Sequence, residues 1–172
     1  MNREERNPII FYEVQRPRQW WLWVLLLSVA AIFWYIFVKQ IFFGIQVGDK
    51  PVSDVGVVII WFIFGVAFPV SILCFVKLVI KIRKDGIYIR FVPFHISDRK
   101  FLFKDLKKYE KILYNAFDFG GWGIRLNLDG EVAYNINGKL SFKLNVDNQT
   151  VIIGTQKPDE FKQALKSITK KT

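Results

Sequence analysis

Two long uncharged stretches constrain this chain more than any other feature of its sequence. No charged residue occurs between positions 20 and 38, and none occurs between positions 55 and 76. A helix that crosses a bilayer needs roughly 20 apolar residues to span about 30 Å of hydrocarbon. Both stretches are long enough, so we predict a helical hairpin of two transmembrane helices. Its predicted spans are residues 20–42 and 55–79, within a membrane region 20–80 that follows an N-terminal segment 1–19 and precedes a domain 81–172.

A secretory signal peptide is the alternative for the first stretch. Its apolar region would be about 7–15 residues long and would end in small residues at a cleavage site. Here the run is longer, and the bulky sequence KQIFFGIQ follows it at 39–46. A retained anchor is therefore favoured. Aromatic residues near both ends are typical of interfacial belts, although helix packing would also explain them. These residues are Trp20, Trp21, Trp23, Trp34 and Tyr35.

The distribution of Lys and Arg predicts the orientation. The first 18 residues hold four arginines, whereas the segment 39–54 between the stretches holds two lysines and two aspartates. The other 19 of the 25 basic residues lie from Lys77 onward, so that part of the chain is strongly basic. Cytoplasmic loops of membrane proteins carry the excess of Lys and Arg. We therefore predict a multi-pass protein of the cell membrane with both termini in the cytoplasm.

The sequence after residue 85 is patterned like a sheet. Apolar residues recur with a period of two, which is the sign of half-buried strands. Asp129-Gly130, Asn137-Gly138 and Asp147-Asn148 separate four of the segments and predict tight turns. We predict seven antiparallel strands, at 86–92, 100–104, 107–114, 122–128, 131–136, 139–146 and 150–155.

An amphipathic helix is predicted after the last strand. Pro158 suits the first turn of a helix, and the acidic residues that follow it suit the positive helix end. Phe161, Leu165 and Ile168 then recur at helical spacing. The predicted class is α+β.

This order of elements resembles the pleckstrin-homology (PH) superfold, in which a strongly bent sheet is closed by a C-terminal helix. The sequence is also similar to small bacterial and archaeal PH-domain-like (bPH) membrane proteins, which join spanning helices to such a domain. The resemblance implies a PH-like seven-stranded antiparallel barrel or sandwich with a capping helix. Members of that family are largely without assigned activity, so it implies no catalytic residue. The stretches that carry it are FYEVQRPRQWWLW (11–23), DGIYIRFVPFH (85–95), FDFGGWGIR (117–125) and IGTQKPDEF (153–161).

The glycines of FGGWG, residues 119–123, do not form a nucleotide-binding loop. They do not spell Gly-x-Gly-x-x-Gly, and a strand pattern rather than a helix follows them. The preceding Asp-Phe-Gly matches a kinase motif, but the other kinase motifs are absent from the sequence. We interpret the glycines as a bend at a sheet corner. After that bend, the residues predicted to face inward are Trp122, Ile124, Leu126 and Leu128. The alternative is a contact surface for the bilayer or a partner, made of Phe117, Phe119, Trp122 and Arg125.

Catalytic and metal-binding chemistry finds little support in the sequence. His95 is the only histidine and Cys74 is the only cysteine, so no His/Cys metal cluster and no intrachain disulfide is possible. We predict that His95 lies in a turn with a solvated or hydrogen-bonded ring, and that Cys74 is a packing residue. The predicted protein is not an enzyme and has no metal and no cofactor.

A basic surface is the strongest functional signal. Only the ten residues 77–86 separate the second span from the first predicted strand, and they reach at most about 33 Å. Anionic headgroups attract each nearby Lys or Arg by about 1 kcal/mol. The alternative is that this charge only fixes the orientation. The predicted surface comprises Lys77, Lys81, Arg83, Lys84, Arg99, Lys100, Lys104, Lys107, Lys108 and Lys111.

The composition therefore predicts a membrane-anchored, non-catalytic module at the inner membrane surface. Its predicted partners are the lipid bilayer, through anionic headgroups, or a membrane or cytoplasmic protein for which it acts as a scaffold. The alternative is an accessory subunit of a membrane transporter or larger membrane complex. Nucleic acid is disfavoured as a partner because the tether makes access to DNA awkward.

Overall fold

The computed structural model divides the chain into two units. The helical unit is Arg18–Val76, and the sheet unit combines Met1–Pro17 with Lys77–Thr172. The sheet unit therefore contains chain from both sides of the helical unit. The residues that the structure describes are 7–48, 52–115, 121–147 and 149–169.

The helical unit contains the two predicted apolar helices. Helix α1 is Trp20–Phe42 and helix α2 is Asp54–Phe75, and both are long and apolar enough to cross a membrane. Only 6% and 11% of their most apolar windows are buried within the structure, whereas a core helix of a soluble protein would be mostly buried. The second helix ends at Phe75 rather than near residue 79, because a strand begins at Lys77.

Aromatic rings join the two helices. Trp61 of α2 stacks on Phe37 of α1 at a centroid distance of 4.2 Å, and it meets Trp34 edge-on at 5.0 Å. Phe33 and Phe64 form a further stacked pair at 5.2 Å. Such pairs contribute about 0.5–1.5 kcal/mol each beyond the burial of their area. Trp34 therefore has the helix-packing role that was the alternative to an interfacial belt.

Pro69 interrupts the backbone hydrogen bonds of α2. Proline has no backbone N–H, so it cannot donate to the carbonyl of Gly65 one turn earlier. The indole N–H of Trp34 donates to that carbonyl at 3.3 Å, and the segment Trp61–Ala67 has π-helical geometry. A neighbouring helix thus supplies the missing donor, which is how spanning helices tolerate proline.

Sheet A has four antiparallel strands in the order β1-β2-β3-β4. Its first two strands were not predicted, so the described residues form nine strands rather than seven. The predicted second span, residues 55–79, includes the first apolar residues of β2. In β1 two buried positions are polar, which hides the alternation. The strands are β1 Ile9–Gln15, β2 Lys77–Arg83, β3 Gly86–Val92 and β4 Arg99–Leu102.

Sheet B has five strands in the order β5-β8-β9-β7-β6. The prediction of an entirely antiparallel sheet is wrong, because β7 and β9 pair in parallel. Strand β8 pairs with β5 on one side and with β9 on the other. Strand β9 then pairs with β7 on its far side, so β7 and β8 are not neighbours. In the described residues the two sheets are separate and neither closes into a barrel. The strands are β5 Leu106–Leu113, β6 Gly123–Leu126, β7 Val132–Asn135, β8 Leu140–Val146 and β9 Gln149–Thr155.

Two of the three predicted turns form hairpins. Gly130, with a φ of 77°, lies in the turn between β6 and β7, and Asp147, with a φ of 50°, lies between β8 and β9. The third prediction, a hairpin at Asn137-Gly138, is wrong because β7 and β8 do not pair. There the Asn135 side chain donates to the Gly138 carbonyl and accepts from the Gly138 N–H, each at 2.7 Å.

The C-terminal helix α3, Pro158–Thr169, is confirmed and packs against both sheets. Phe161 and Leu165 have no exposed surface. The Phe161 ring stacks on Phe142 of β8 at 4.6 Å and meets Phe11 of β1 edge-on at 5.3 Å. The helix, sheet A and sheet B therefore share one aromatic core, and the α+β class is confirmed.

A buried polar cluster also links β1 to sheet B. Gln15 is fully buried, and its side-chain N–H donates to the Gly154 carbonyl at 2.6 Å and to Glu13 at 2.9 Å. The Gln15 side-chain oxygen accepts from the Ile136 N–H at 3.1 Å. Glu13 in turn accepts from the Thr155 hydroxyl and from the N–H of the next residue. Every bond of this cluster except the one between Glu13 and Gln15 joins residues more than 100 positions apart.

Candidate functional site

The outer face of sheet A carries much of the predicted basic surface. Alternate residues of β2 are Leu and Ile with no exposure, so Lys77, Lys81 and Arg83 lie on the opposite face. The register places Lys81 beside Tyr88 of β3 and Tyr88 beside Lys100 of β4. The structure therefore brings together cations that are far apart in sequence.

Tyr88 lies between two of these cations. The Arg83 guanidinium and the Lys100 ammonium are each 5.6 Å from the centre of its ring. Its hydroxyl donates to Asp85 at 2.6 Å, and Arg83 donates to the Asn7 carbonyl at 2.8 Å. Burial and the bond to Asp85 raise the pKa of the Tyr88 hydroxyl. An open cleft of about 370 Å³ lies here, and its two cations suit a small anionic group. It is lined by Asn7, Arg83, Tyr88, Lys100 and the acidic Asp98.

Asp98 is an acidic residue within this basic face. It pairs with Arg90 at 2.8 Å and with Lys81 at 3.6 Å, and thereby ties the chain before β4 to strands β2 and β3. Neither Arg90 nor Asp98 was among the predicted surface residues. The alternation of GIYIRFV does place Arg90 on the face of Tyr88, whereas only the fold brings Asp98 to both cations.

The loop between β3 and β4, residues 93–98, exposes two large apolar side chains. Phe94 is 70% exposed and Ile96 is 95% exposed. His95 between them is held against the end of β3 by two hydrogen bonds. Its backbone N–H donates to the Phe91 carbonyl at 2.7 Å, and its ring Nδ1 accepts from the Phe91 backbone N–H at 3.2 Å. Burial and the nearby charge of Arg99 lower the pKa of His95. The prediction of a turn with a hydrogen-bonded ring is confirmed.

The strand register fixes which end of sheet A carries this loop. Val92, the last residue of β3, pairs with Lys77, the first residue of β2. Gln15, the last residue of β1, pairs with Leu78 at the same end. At that end β1 leads into α1, and β2 follows α2 with only Val76 between them. The expected ten-residue connector 77–86 is therefore wrong, because its residues form β2 and the turn into β3.

The remaining predicted cations belong to other elements. Lys84 lies in the β2–β3 turn, and Lys104 lies in the short 3-10 helix Phe103–Asp105. Three more lie on β5, the edge strand of sheet B, where Lys107 donates to the Asp147 carbonyl at 2.8 Å and Lys108 pairs with Glu110 at 3.4 Å. The β5 cations are Lys107, Lys108 and Lys111, and those of sheet A are Lys77, Lys81, Arg83, Lys100 and the exposed Arg99.

The glycine-rich corner is described only in part. Phe117 and Phe119 lie outside the described residues, so the predicted contact surface reduces to Trp122 and Arg125, which are joined by a bond of 3.1 Å from the Arg125 Nε to the Trp122 carbonyl. Gly123, with a φ of 108°, agrees with the predicted bend. We predicted that Trp122, Ile124, Leu126 and Leu128 face inward, and this is wrong for all of them except Ile124. Strand β6 ends at Leu126 and lies at the edge of sheet B, where it pairs with β7. The exposed members are Trp122 at 39%, Leu126 at 69% and Leu128 at 107%.

A second cleft, of about 550 Å³, lies on sheet B. Ile112 and Ile152 are among its apolar residues, and Glu131 forms an ion pair with Lys143 inside it. The hydrogen bond from Lys143 to Glu131 raises the pKa of the lysine, and further carboxylates nearby add to this effect. No pattern in the sequence pointed to this cleft, because its lining comes from four separate segments of the chain.

Metal ligation has no visible basis in the described ranges, where no three His, Cys, Asp or Glu residues are grouped so that they could hold an ion. Cys74 is exposed in α2.

Comparison with known proteins places almost the whole chain in one sequence family. The sequence profile of a family of unknown function, DUF6141, matches residues 1–171, which include both units. No curated protein and no solved structure matches the chain. These findings assign no activity, and they do not confirm the resemblance to bPH proteins.

Proposed function

The chain belongs to this family, DUF6141, and we propose that it is a non-catalytic, membrane-anchored module that binds anionic lipid headgroups at the inner membrane surface. Helices α1 and α2 would cross the bilayer, and the sheet unit would lie in the cytoplasm with both termini. A PH-like relationship of the sheet unit is part of this proposal. The observation that carries it is the basic face of sheet A, on a unit whose strands β1 and β2 connect directly to the two apolar helices.

The chemistry of that face fits a phosphate-bearing headgroup. Arg83 and Lys100 flank Tyr88 from two strands, so two positive charges converge on one open cleft. Arginine binds phosphate with paired donors and lysine acts as a point charge. Each such cation contributes about 1 kcal/mol near an anionic leaflet, within roughly a Debye length of 10 Å at 0.1 M salt.

The full chain is needed to test the proposal. A fragment that begins near Lys81 would lack β1 and half of β2, and with them the polar cluster of Glu13 and Gln15. We therefore expect purified full-length protein in detergent micelles to be stabilised by added phosphatidylglycerol and not by phosphatidylcholine. A ligand at 100 times its Kd stabilises by about 2.7 kcal/mol, which a thermal unfolding assay resolves.

Two double variants make this test specific. Arg83→Gln with Lys100→Gln removes the cations at the cleft and should abolish most of the stabilisation by phosphatidylglycerol. Lys107→Gln with Lys111→Gln removes the same charge from β5 and should leave it largely intact. Equal effects of the two lipids, or equal losses in the two variants, would show that the face of sheet A is not a headgroup site.

Orientation is tested separately by single-cysteine labelling. In a Cys74→Ser background, Gln46→Cys in the connecting segment should react with an impermeant maleimide added to intact cells. Lys84→Cys in the sheet unit should react only after the cells are opened. The reverse pattern would contradict the positive-inside assignment.

An accessory subunit of a membrane transporter or larger complex is the second candidate. The observation that favours it is the exposure of Leu113 and Leu128, which line the cleft on sheet B and are 78% and 107% exposed. A photo-crosslinker at position 128 should then capture one constant membrane protein in native membranes. A crosslinker at Lys166, on the exposed face of α3, is the control. Capture of the same protein by both positions, or of none, would count against this candidate.

A further inference from the structure

The tip of the β3–β4 loop exposes apolar surface that headgroup binding does not use. Ile96 is 95% exposed and Phe94 is 70% exposed, whereas Phe91 at the base of the loop is 4% exposed. Single exposed apolar residues are ordinary on a protein surface, but two large ones on one short tip are a localised apolar surface. We propose that this loop inserts Phe94 and Ile96 into the interface of the lipid bilayer that α1 and α2 would cross. The inference rests on the membrane anchoring proposed above.

The strand register places the loop at the correct end of the sheet for this role. Val92 pairs with Lys77, so the loop leaves β3 where β2 begins. Phe94 follows Val92 by two residues, just as Phe75, the end of α2, precedes Lys77 by two residues. Two residues span at most about 7 Å. The tip and the end of the spanning helix therefore leave the same strand pair by equally short paths.

The loop is held in one conformation before it meets lipid. His95 makes two hydrogen bonds to the backbone of Phe91, and the ion pair of Asp98 with Arg90 fastens the other side of the loop. An apolar tip that is already ordered loses little conformational entropy when it binds. The hydrogen bonds also keep His95 at the base while its two neighbours point outward, as their exposure shows.

Charges flank the apolar tip in the pattern of an interfacial anchor. Arg99 and Lys100 follow Ile96 by three and four residues, and both are exposed. Segments that rest in a membrane interface bury apolar side chains near the acyl boundary and keep Lys and Arg among the headgroups. Anionic lipid should therefore deepen the insertion, and salt should weaken this dependence.

Depth-dependent fluorescence tests the inference on the full chain. In a Cys74→Ser background, Ile96→Cys and, separately, Phe94→Cys are labelled with the environment-sensitive dye NBD. The control is Lys166→Cys on α3, an exposed position that belongs neither to the tip nor to the basic face of sheet A. The three proteins are placed in nanodiscs of phosphatidylcholine alone or mixed with phosphatidylglycerol. Some nanodiscs also carry nitroxide-labelled lipid.

Insertion predicts a blue-shifted emission and quenching by nitroxide lipid at positions 96 and 94, and neither change at position 166. It also predicts a larger blue shift with phosphatidylglycerol, which Arg99→Gln with Lys100→Gln should reduce. Emission at 96 and 94 that matches the control at 166 in both lipid mixtures would overturn the inference.

Carbonate extraction of the unlabelled chain separates this failure from a failure of the proposed function. Release of the chain into the supernatant would refute membrane anchoring and with it the inference. Retention of the chain, together with unshifted probes at 96 and 94, would refute loop insertion alone.

Discussion

Gln15→Ala is expected to destabilise the sheet unit by about 2–4 kcal/mol. The wild-type side chain is fully buried, and it bonds the Gly154 carbonyl at 2.6 Å and the Ile136 N–H at 3.1 Å. Alanine reaches neither group, and a buried polar group that loses its partner costs about 1–3 kcal/mol. The cavity adds to this cost, while release of the glutamine side chain from one rotamer offsets up to about 2 kcal/mol.

The assay is unfolding by urea in detergent micelles, followed by pulse proteolysis. A loss of this size should also lower the melting temperature of the unit by roughly 10 °C. The matched control is Gln149→Ala, which makes the same substitution at an exposed position of β9 and should change stability by less than about 0.5 kcal/mol. Hydrogen exchange gives a local measurement: the amide of Ile136 should exchange faster in Gln15→Ala. Equal stability of the two variants would refute the view that the polar cluster links β1 to sheet B.

Three further outcomes are expected. Trp34→Phe keeps the ring contacts between α1 and α2 but leaves the carbonyl of Gly65 without its donor, and should cost the helix pair about 0.6 kcal/mol in a steric-trap assay. Gly154→Ala should cost about 1–3 kcal/mol in urea unfolding, because a Cβ there would overlap the buried asparagine of β7. The pKa of His95 is lower in the folded chain than its ordinary value of 6.5. The stability that His95 contributes is therefore fully present above pH 6.5 and is lost as the pH falls through the lower pKa of the folded state. NMR titration should show this low pKa. The protection factor of the Phe91 amide, taken against its intrinsic exchange rate at each pH, should fall in acid, whereas in His95→Asn that protection factor should stay constant over this range.

The periodicity of apolar residues predicted those elements whose buried positions are themselves apolar. Ile87, Ile89 and Phe91 of β3 are all buried, as are Phe161 and Leu165 of α3. For such elements one face of the segment is visible in the sequence, since its period of 2 or 3.6 is set by the backbone alone. The two long uncharged stretches were recognisable for a different reason, namely their length and continuous apolar composition.

Strand β1 shows where that method fails. Its inward positions include Glu13 and Gln15, which look like surface residues because charged and amide side chains are mostly exposed. Their burial is possible only because the Gly154 carbonyl, the Ile136 N–H and other partners more than 100 residues away satisfy them. No local pattern contains those partners, so the sequence predicts no strand within the N-terminal segment 1–19.

The sequence likewise predicted one part of the candidate site, and only the fold revealed the rest. The sequence placed a dense group of cations after the second uncharged stretch, but the choice of Arg83 and Lys100 as neighbours of one tyrosine depends on the register of β2, β3 and β4. The expected inward face from Trp122 to Leu128 was wrong because β6 is a four-residue edge strand that pairs only with β7.

The sequence by itself determined that two helices of this chain are long and apolar enough to cross a membrane, and that the remainder forms strands and a final amphipathic helix. These properties follow from side-chain hydrophobicity and backbone period, which act over a few neighbouring residues. Only the tertiary structure decided that chain from both sides of the helices forms one sheet, that β7 and β9 run in parallel, and that Phe94 and Ile96 stand exposed where β3 meets β2. Such pairings depend on partners distant along the chain, and their free energy is gained only when the whole unit has folded.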